Sequence, residues 1–568
     1  LNTSHGFVPW DDLHHVQLSK TDGDYDGKWV FVNANNTPRV ARVDLKTFRT
    51  SEIIELPNSA GNHSSPFLTQ NTEYVVAGTR FSVPPDDVNG DVPINTYKKN
   101  FRGTLSFISV KKEDGKMDLA FQVECPGFNF DLSRAGKGVS HGWFFFSSYN
   151  TEQANTLLEV NASQKDKDFI LAVNWKKAEE YIKAGKGKKK SVRYAHNTFS
   201  EITHTASSEI KTEVLVLDTK ELKDLCYLIP CPKSPHGCDV SPTGEYIVGS
   251  GKLAATIPVF GFDKMVKAIE KKDFIGDFDG INVLKYESVL YGEVKKPGLG
   301  PLHTEFDDKG NAYTSFFVSS EVVKWNVKDL KVLDRVPTYY SVGHLCVAGG
   351  DTKKPNGKYM VAYNKITKDR YLPTGPELSQ SAQLFDISGD KMQLILDFPT
   401  IGEPHYAQIA PASIIKDNST KFFKIDENKH DFVAKGEKET KIIREGNKVH
   451  VYMTAIRSHF SPDNIEGIKM GDEVYFHVTN LEQDWDVPHG FGIKGAANAE
   501  LLIMPGETQT LKWVPDRVGI VPIYCTDFCS ALHQEMQGYV RVSPSGSTVP
   551  LSYGLGSTAP GSNVKSEK

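Results

Sequence analysis

From Tyr25 to Leu45 the chain reads YDGKWVFVNANNTPRVARVDL: a Gly-containing turn, a short apolar strand, a polar break and a second β-branched strand. The unit recurs as SPTGEYIVGSGKLAATIPVF from Ser241 and DDKGNAYTSFFVSSEVVKWNV from Asp307. Weaker copies begin at Asn71 (NTEYVVAGTRF) and Asn356 (NGKYMVAYNKI). Short strands between turn residues, with few long helical periods among them, suit radially arranged four-stranded sheets better than a sandwich. At roughly sixty residues per sheet, residues 1–410 are predicted to form a seven-bladed β-propeller in an all-β chain.

The 568 residues leave ample length for a large core and more than one domain. Hydrophobic residues make up 39% and charged ones 24%, and no apolar run approaches the roughly 18–20 residues of a membrane span. A soluble globular chain is expected. The net charge of -5 argues against nucleic acid or an anionic membrane as principal partner. The basic run Lys186 to Lys190 reads as a solvated loop. Leu1 opens the chain without Met or a charged-then-apolar leader, as a mature or trimmed product would.

Histidines stand in register with the repeat. His14 and His15 (DDLHHV) precede the first copy, and His63 (GNHSSP) precedes the second. His236 (SPHGC), His303 (GPLHTEF) and His344 (GHLCV) follow, and His405 (GEPHYA) closes the series. Any one alone reads as a hydrogen-bonded turn residue. Residues ahead of each inner strand of a propeller can converge on its axis, however, so the series predicts seven imidazoles at one point. Neutral imidazoles without thiolates favour copper or another borderline metal, and seven exceed what one tetrahedral zinc uses. A polynuclear cluster is expected. Cys226, Cys231 and Cys238 beside His236 could pass for a zinc site, but His236 belongs to the series, so free thiols or one disulfide are preferred. Cys125 and Cys346 read as packed small hydrophobes.

After a connector at 411–440 the texture changes to period-two alternation: KVHVYMTAI, DEVYFHVTN, QTLKWVP, GYVRVSP. This predicts a small Greek-key β-domain over 441–545, followed by a polar, flexible tail at 546–568. Inside it, His489 on a Pro-His-Gly turn and CTDFCSALHQEM supply His489, Cys525, Cys529, His533 and Met536. Two thiolates, two imidazoles and a thioether form the soft donor set that selects copper. A second Cys lets both sulfurs bridge two copper ions and share one electron. Such a site transfers electrons rather than performing catalysis. The alternative is a Cys525–Cys529 disulfide.

Together these residues resemble nitrous oxide reductases, copper enzymes of denitrification, over essentially the whole chain. The resemblance implies a cupredoxin-like second domain, a sulfide-bridged tetracopper cluster (CuZ) on His14, His15, His63, His236, His303, His344 and His405, and a dinuclear CuA on His489, Cys525, Cys529, His533 and Met536. It implies a backbone-carbonyl ligand at Asp527, where many relatives have Trp. Lys365, Glu403 and Asp12 match the family's catalytic and supporting side chains. Tyr149, Glu152 and Asp166 resemble its calcium ligands, although the asparagine of that site aligns with Ser234. The implied reaction is reduction of nitrous oxide to dinitrogen and water at CuZ, with CuA as electron inlet. Also implied are a periplasmic location, a small soluble donor of cytochrome c or cupredoxin type, and a head-to-tail homodimer in which CuA of one chain serves CuZ of the other. A CuA subunit of a respiratory oxidase and a copper-storage protein are the competing readings; the first lacks a His-lined propeller.

Overall fold

In the computed structural model the chain divides into two compact units, Asn2–Asn418 and Ser419–Lys568. It describes residues 13–35, 38–46, 48–59, 61–80, 82, 91–93, 96, 100–151, 168–193, 211–365, 380–400, 404–415, 424–483, 487–496 and 500–554. Strands dominate both units. Among the described residues no helix is long and apolar enough to cross a membrane.

The larger unit contains six sheets among its described residues. Their innermost strands are Leu13–Thr21, Ser64–Leu68, Phe128–Ala135, Pro235–Val240, Pro301–Phe306 and Val342–Val347, each lying beside the next. Residues 404–410 close the circle. The Gly349 N–H donates to Ile409 O at 3.1 Å, while Gln408 Oε1 accepts from the Leu18 N–H at 2.7 Å. Seven inner segments therefore surround one axis, which is the geometry of a propeller, and six of them carry sheets among the described residues.

Four sheets are simple antiparallel meanders, the arrangement that the quoted repeat predicts. The second and third are extended. Lys211–Asp218 and Lys188–Arg193 add to the outside of the second, and Ile281–Leu284 and Phe274–Phe278 to the third. The Lys186–Lys190 run is thus mostly an edge strand rather than a loop. Lys190 Nζ reaches the buried carboxylate of Glu124 at 2.7 Å, and charged edge residues also discourage pairing with another chain.

Aromatic layers fill the spaces between sheets. Phe107, Phe121, Phe128, Phe130, Phe144 and Phe146 pack in one cluster, and Val248, Ile257, Phe306, Phe316 and Trp325 in another. Each fully buried side chain of this kind stabilises by about 1.5–3 kcal/mol. Close packing on both sides stiffens the sheets and fixes what the inner strands present to the axis. Apart from the first, those strands are buried along almost their whole length although many of their residues are polar: SSPFL and PHGCDV are buried throughout. Their polar side chains need partners at the axis.

The smaller unit is a pair of β-sheets. One contains Lys441–Glu445, Lys448–Ile456, Glu473–Asn480 and Thr508–Trp513, with His459–Ser461 pairing beside it. The other runs Leu501–Ile503, His489–Ile493, Gly519–Tyr524, Gln537–Ser543, Asn464–Lys469, Ser552–Tyr553. Alternation delivers Val449, Val451, Met453 and Ala455 to the core, where they meet Phe476, Phe491 and Trp513. Two boundaries differ from the sequence expectation. The stretch 411–440 is shared: Ile414 and Ile415 pack with Leu18, Tyr25 and Leu45 of the propeller, while the Asn428 side chain donates to Gly506 O at 2.8 Å in the smaller unit. The tail begins later than 546, because Ser552–Tyr553 forms an edge strand and Leu551 and Tyr553 cover the core. Residues 555–568 lie outside the described residues.

Candidate metal centres

The seven histidines meet at the propeller axis. His14 and His15 lie on the first inner strand, and His63 immediately precedes the second. His236, His303 and His344 lie on the fourth, fifth and sixth, and His405 on the closing segment. Their rings form one connected set, with centroids 3.5 Å apart for His14–His405, 4.4 Å for His14–His63, 4.5 Å for His344–His405, 4.9 Å for His236–His344 and 5.0 Å for His303–His344. Ligand nitrogens of His14, His15, His63 and His405 lie within 4.8 Å of one another.

Backbone carbonyls select the free nitrogens. His15 Nδ1 lies 2.9 Å from His63 O and 3.0 Å from Ser65 O, so it carries the proton and leaves Nε2 with its lone pair. That Nε2 and the Nδ1 of His344 are buried without a hydrogen-bond partner. An orphaned buried nitrogen costs about 1–3 kcal/mol, a cost that a bound metal removes. His236 Nδ1 and His63 Nδ1 likewise face the carbonyls of Leu302 (3.0 Å) and Phe130 (3.2 Å). Burial first, and charged neighbours after it, hold His15, His63, His344 and His405 well below the ordinary imidazole range. Burial does the same to His236 and brings His303 down to about 4. At neutral pH these rings are unprotonated and able to act as ligands, and the donor set fits copper.

Charged residues support the rings. Lys365 Nζ donates to His405 Nδ1 at 2.7 Å. Its stem crosses Gly343, where a Cβ would come within 2.2–2.7 Å of three Lys365 carbons, so the glycine beside His344 makes room for the lysine. Asp131 Oδ1 lies 3.3 Å from His236 Nε2 and 3.5 Å from His63 Nδ1. Arg134 Nη2 lies 2.9 Å from His303 Nε2, among Asp239 and Glu305; burial pushes Glu305 up to about 8. Asp131 and Arg134 escaped sequence reasoning, although two charged residues in the apolar strand FNFDLSRA were a signal. Asp12, Glu403, Glu152 and Asp166 lie outside the described residues, as does the side chain of Tyr149.

In the smaller unit, Cys525 Sγ lies 4.0 Å from Cys529 Sγ, about twice the length of a disulfide, and both cysteines are free. His489 Nδ1 is 3.9 Å from Cys525 Sγ. His533 Nδ1 and Met536 Sδ are 3.9 Å and 3.7 Å from Cys529 Sγ. The Asp527 carbonyl oxygen faces Cys525 Sγ at 3.2 Å, so all six expected groups come together. Gly490 permits this closeness, because a Cβ there would meet Thr526 Oγ1 at 2.0 Å. Glu482, which sequence reasoning missed, accepts from His489 Nε2 at 3.2 Å and is held by Arg457 at 3.0 Å. The contact leaves Nδ1 available to a metal. Burial raises the Cys525 thiol to about 11, which metal binding would reverse.

Cys226, Cys231 and Cys238 are separate buried thiols, so of the two forms left open by the sequence the structure has free thiols. Among the described residues they form no metal-holding group with His236.

Comparison with known proteins bears on both sites. The nitrous oxide reductase propeller repeat matches residues 335–405, the stretch that carries His344, Lys365 and His405. Over 557 residues the chain is 33% identical to the nitrous-oxide reductase of Stutzerimonas stutzeri, covering 94% of this chain and 80% of that one. The chain belongs to the nitrous-oxide reductase family. The nitrous-oxide reductase of Pseudomonas fluorescens is also 33% identical, over 554 residues, with 94% and 80% covered. A more local likeness joins 96 residues, 17% of this chain, to 67% of cytochrome c oxidase subunit 2 of Thermus thermophilus at 33% identity. Membership in the nitrous-oxide reductase family makes the chain an oxidoreductase and confirms the propeller and cupredoxin-like architecture. With the second similarity it implies copper.

Proposed function

We propose that the chain reduces nitrous oxide to dinitrogen and water at a sulfide-bridged four-copper CuZ held by the seven propeller histidines, with electrons arriving through a dinuclear CuA in the smaller unit. The convergence of seven imidazoles from six inner segments carries the reading. When bound, the propeller copper supplies electrons to a linear, weakly polar molecule that a single Lewis acid activates poorly. The protein's own share is to keep the imidazoles unprotonated, exclude water and deliver protons. Lys365 Nζ, already at the His405 edge of the ligand set, is the donor we assign to the departing oxygen. Asp12 and Glu403 are assigned to orient ligand imidazoles, and Tyr149, Glu152 and Asp166 to calcium. The periplasm is the proposed compartment, and a small soluble cytochrome c or cupredoxin the donor.

The test is to load the protein with copper, supply nitrous oxide and reductant, and measure dinitrogen release beside the visible and EPR spectra. Dinitrogen matching the nitrous oxide consumed, with a mixed-valence dinuclear signal and a sulfide-to-copper absorption, is expected. Both spectra without dinitrogen would mean storage. His303→Ala should lose the propeller absorption and keep the dinuclear signal, because each unit has its own core. Loss of both signals from a folded chain would refute that independence.

The proposed assembly is a head-to-tail homodimer with trans electron transfer, an isologous arrangement that places each inlet on its partner's propeller. A mixed dimer of one Cys529→Ser chain and one His303→Ala chain should recover activity that neither parent homodimer has with a protein donor. Purified mixed dimers that remain inactive with both surviving sites spectroscopically intact would exclude transfer across the interface.

A further inference from the structure

His14 and His15 are consecutive residues of one strand, and in a regular strand consecutive side chains point to opposite faces. Here they do not. Their ring centroids are 4.8 Å apart, and both rings sit against His63 (4.4 and 5.4 Å) and His405 (3.5 and 5.1 Å). Pairing with the neighbouring strand Asp24–Ala34 explains the exception. Leu13 lies opposite Ala34 and Val16 opposite Val32, so His14 and His15 together face the single residue Asn33. Two residues against one is a β-bulge, which re-aims a side chain and takes backbone groups of the bulged strand out of the ladder. The device recurs at other ligands. The strands through His236, His303 and His344 each carry one residue more than their partner strand at the histidine, between Pro235 and Gly237, Pro301 and Thr304, and Val342 and Leu345.

N–H groups turned out of a ladder inside the protein need another acceptor. Asn33 supplies it at the first bulge. Its side chain is fully buried, and Oδ1 accepts from the His15 N–H at 2.8 Å and from the His14 N–H at 3.2 Å. Its Nδ2 donates to Asn62 O at 2.8 Å, on the residue before His63. His63 O in turn lies 2.9 Å from His15 Nδ1, so one side-chain amide ties together the backbones that carry three of the seven imidazoles.

We propose that Asn33 is a positioning residue of the propeller copper site, its side-chain oxygen holding the bulge that turns His14 and His15 to the same side. This rests on the reading of the histidines as copper ligands. Asparagine has the right inventory: two lone pairs on Oδ1, one for each N–H, and a donor for the Asn62 carbonyl. Without that oxygen both N–H groups lose their acceptor. The strand can then recover ladder bonds only by slipping one residue, which turns an imidazole away from the axis.

The test compares wild type, Asn33→Ala, Asn33→Asp and Thr72→Val by amide hydrogen exchange at His14 and His15 in the metal-free protein, and by copper content and propeller absorption after loading. Thr72 ties the same strand at another residue. Its Oγ1 accepts from the Lys20 N–H at 2.7 Å and donates to Lys20 O at 2.9 Å, so Thr72→Val loosens the strand without touching the bulge. Asn33→Ala should exchange faster at both histidines and bind propeller copper about 10–100-fold more weakly, the usual cost of losing an outer partner of a metal ligand, with the dinuclear signal unchanged. Asn33→Asp keeps the accepting oxygen and should keep the exchange protection and most of the copper. Thr72→Val should bind copper as wild type does. Wild-type copper binding in Asn33→Ala, or an equal loss in Thr72→Val, overturns the proposal. If Asn33→Ala does not fold, a folded Asn33→Asp that has lost both copper and exchange protection overturns it alone. A wild type that takes up no propeller copper would instead sink the functional reading, whatever the exchange at the bulge.

Discussion

Cys529→Ser should abolish the mixed-valence dinuclear signal and cut turnover with a protein donor by more than about 100-fold, beyond the usual cost of losing an outer partner of a metal ligand. The geometry makes Cys529 the hub of one half of the site. Its sulfur touches His533 Nδ1, Met536 Sδ and the other thiol, whereas Cys525 gathers His489 and the Asp527 carbonyl. Serine fills nearly the same space but offers a hard, poorly ionised oxygen where a soft bridging thiolate is needed. The β-core should persist, since Val449, Val451, Phe476 and Phe491 hold the sheets together without it. A small reductant that reaches the propeller directly should therefore still drive nitrous oxide reduction. Loss of activity with both reductants, in a protein whose propeller absorption is intact, would place Cys529 in the catalytic step and refute the inlet role.

The parts of the molecule legible in sequence are those in which chemistry and period coincide. Histidines recur near the starts of inner strands, most of them beside Gly or Pro, so the series stands out, and the structure brings all seven together. CTDFCSALHQEM is likewise readable because soft donors at short spacing have few other uses. The segment Phe128–Ala135 carried only the weak signal of two charges in an apolar strand, and Asp131 and Arg134 resemble ordinary surface residues until the strand is known to be buried on both sides. Glu482 was silent for a different reason. It follows a strand end in NLEQDW and reaches His489 only through the fold. The lysine-rich edge strand Lys188–Arg193 lacks apolar alternation, and among its described side chains Val192 alone is fully buried. Ser552–Tyr553 is too short to show any period, and only its pairing with Asn464–Lys469 reveals it.

Lys365→Ala should keep both copper spectra and lose about 10²–10⁴-fold in turnover with either reductant, the range that a positioned general acid contributes. The structure offers two roles for this side chain. Lys365 Nζ donates to His405 Nδ1 at 2.7 Å and lies 3.4 Å from Nε2, so it could act only by holding the ring. It could also release its proton toward oxygen at the cluster, the role that Gly343 favours by leaving the stem a path beside His344. Lys365→Arg separates the two. Arginine keeps a cation and an N–H beside His405, but its proton is held too tightly to be given up in a protein. If Lys365 only positions His405, the arginine variant should recover most turnover and the alanine variant should lose propeller copper or shift its absorption. If Lys365 supplies the proton, both variants should keep their copper and both should be slow, with a flattened pH profile and a reduced solvent isotope effect where proton delivery was limiting. Wild-type turnover in Lys365→Ala would remove the lysine from the reaction, and the proton would then have to arrive from another side of the histidine ring.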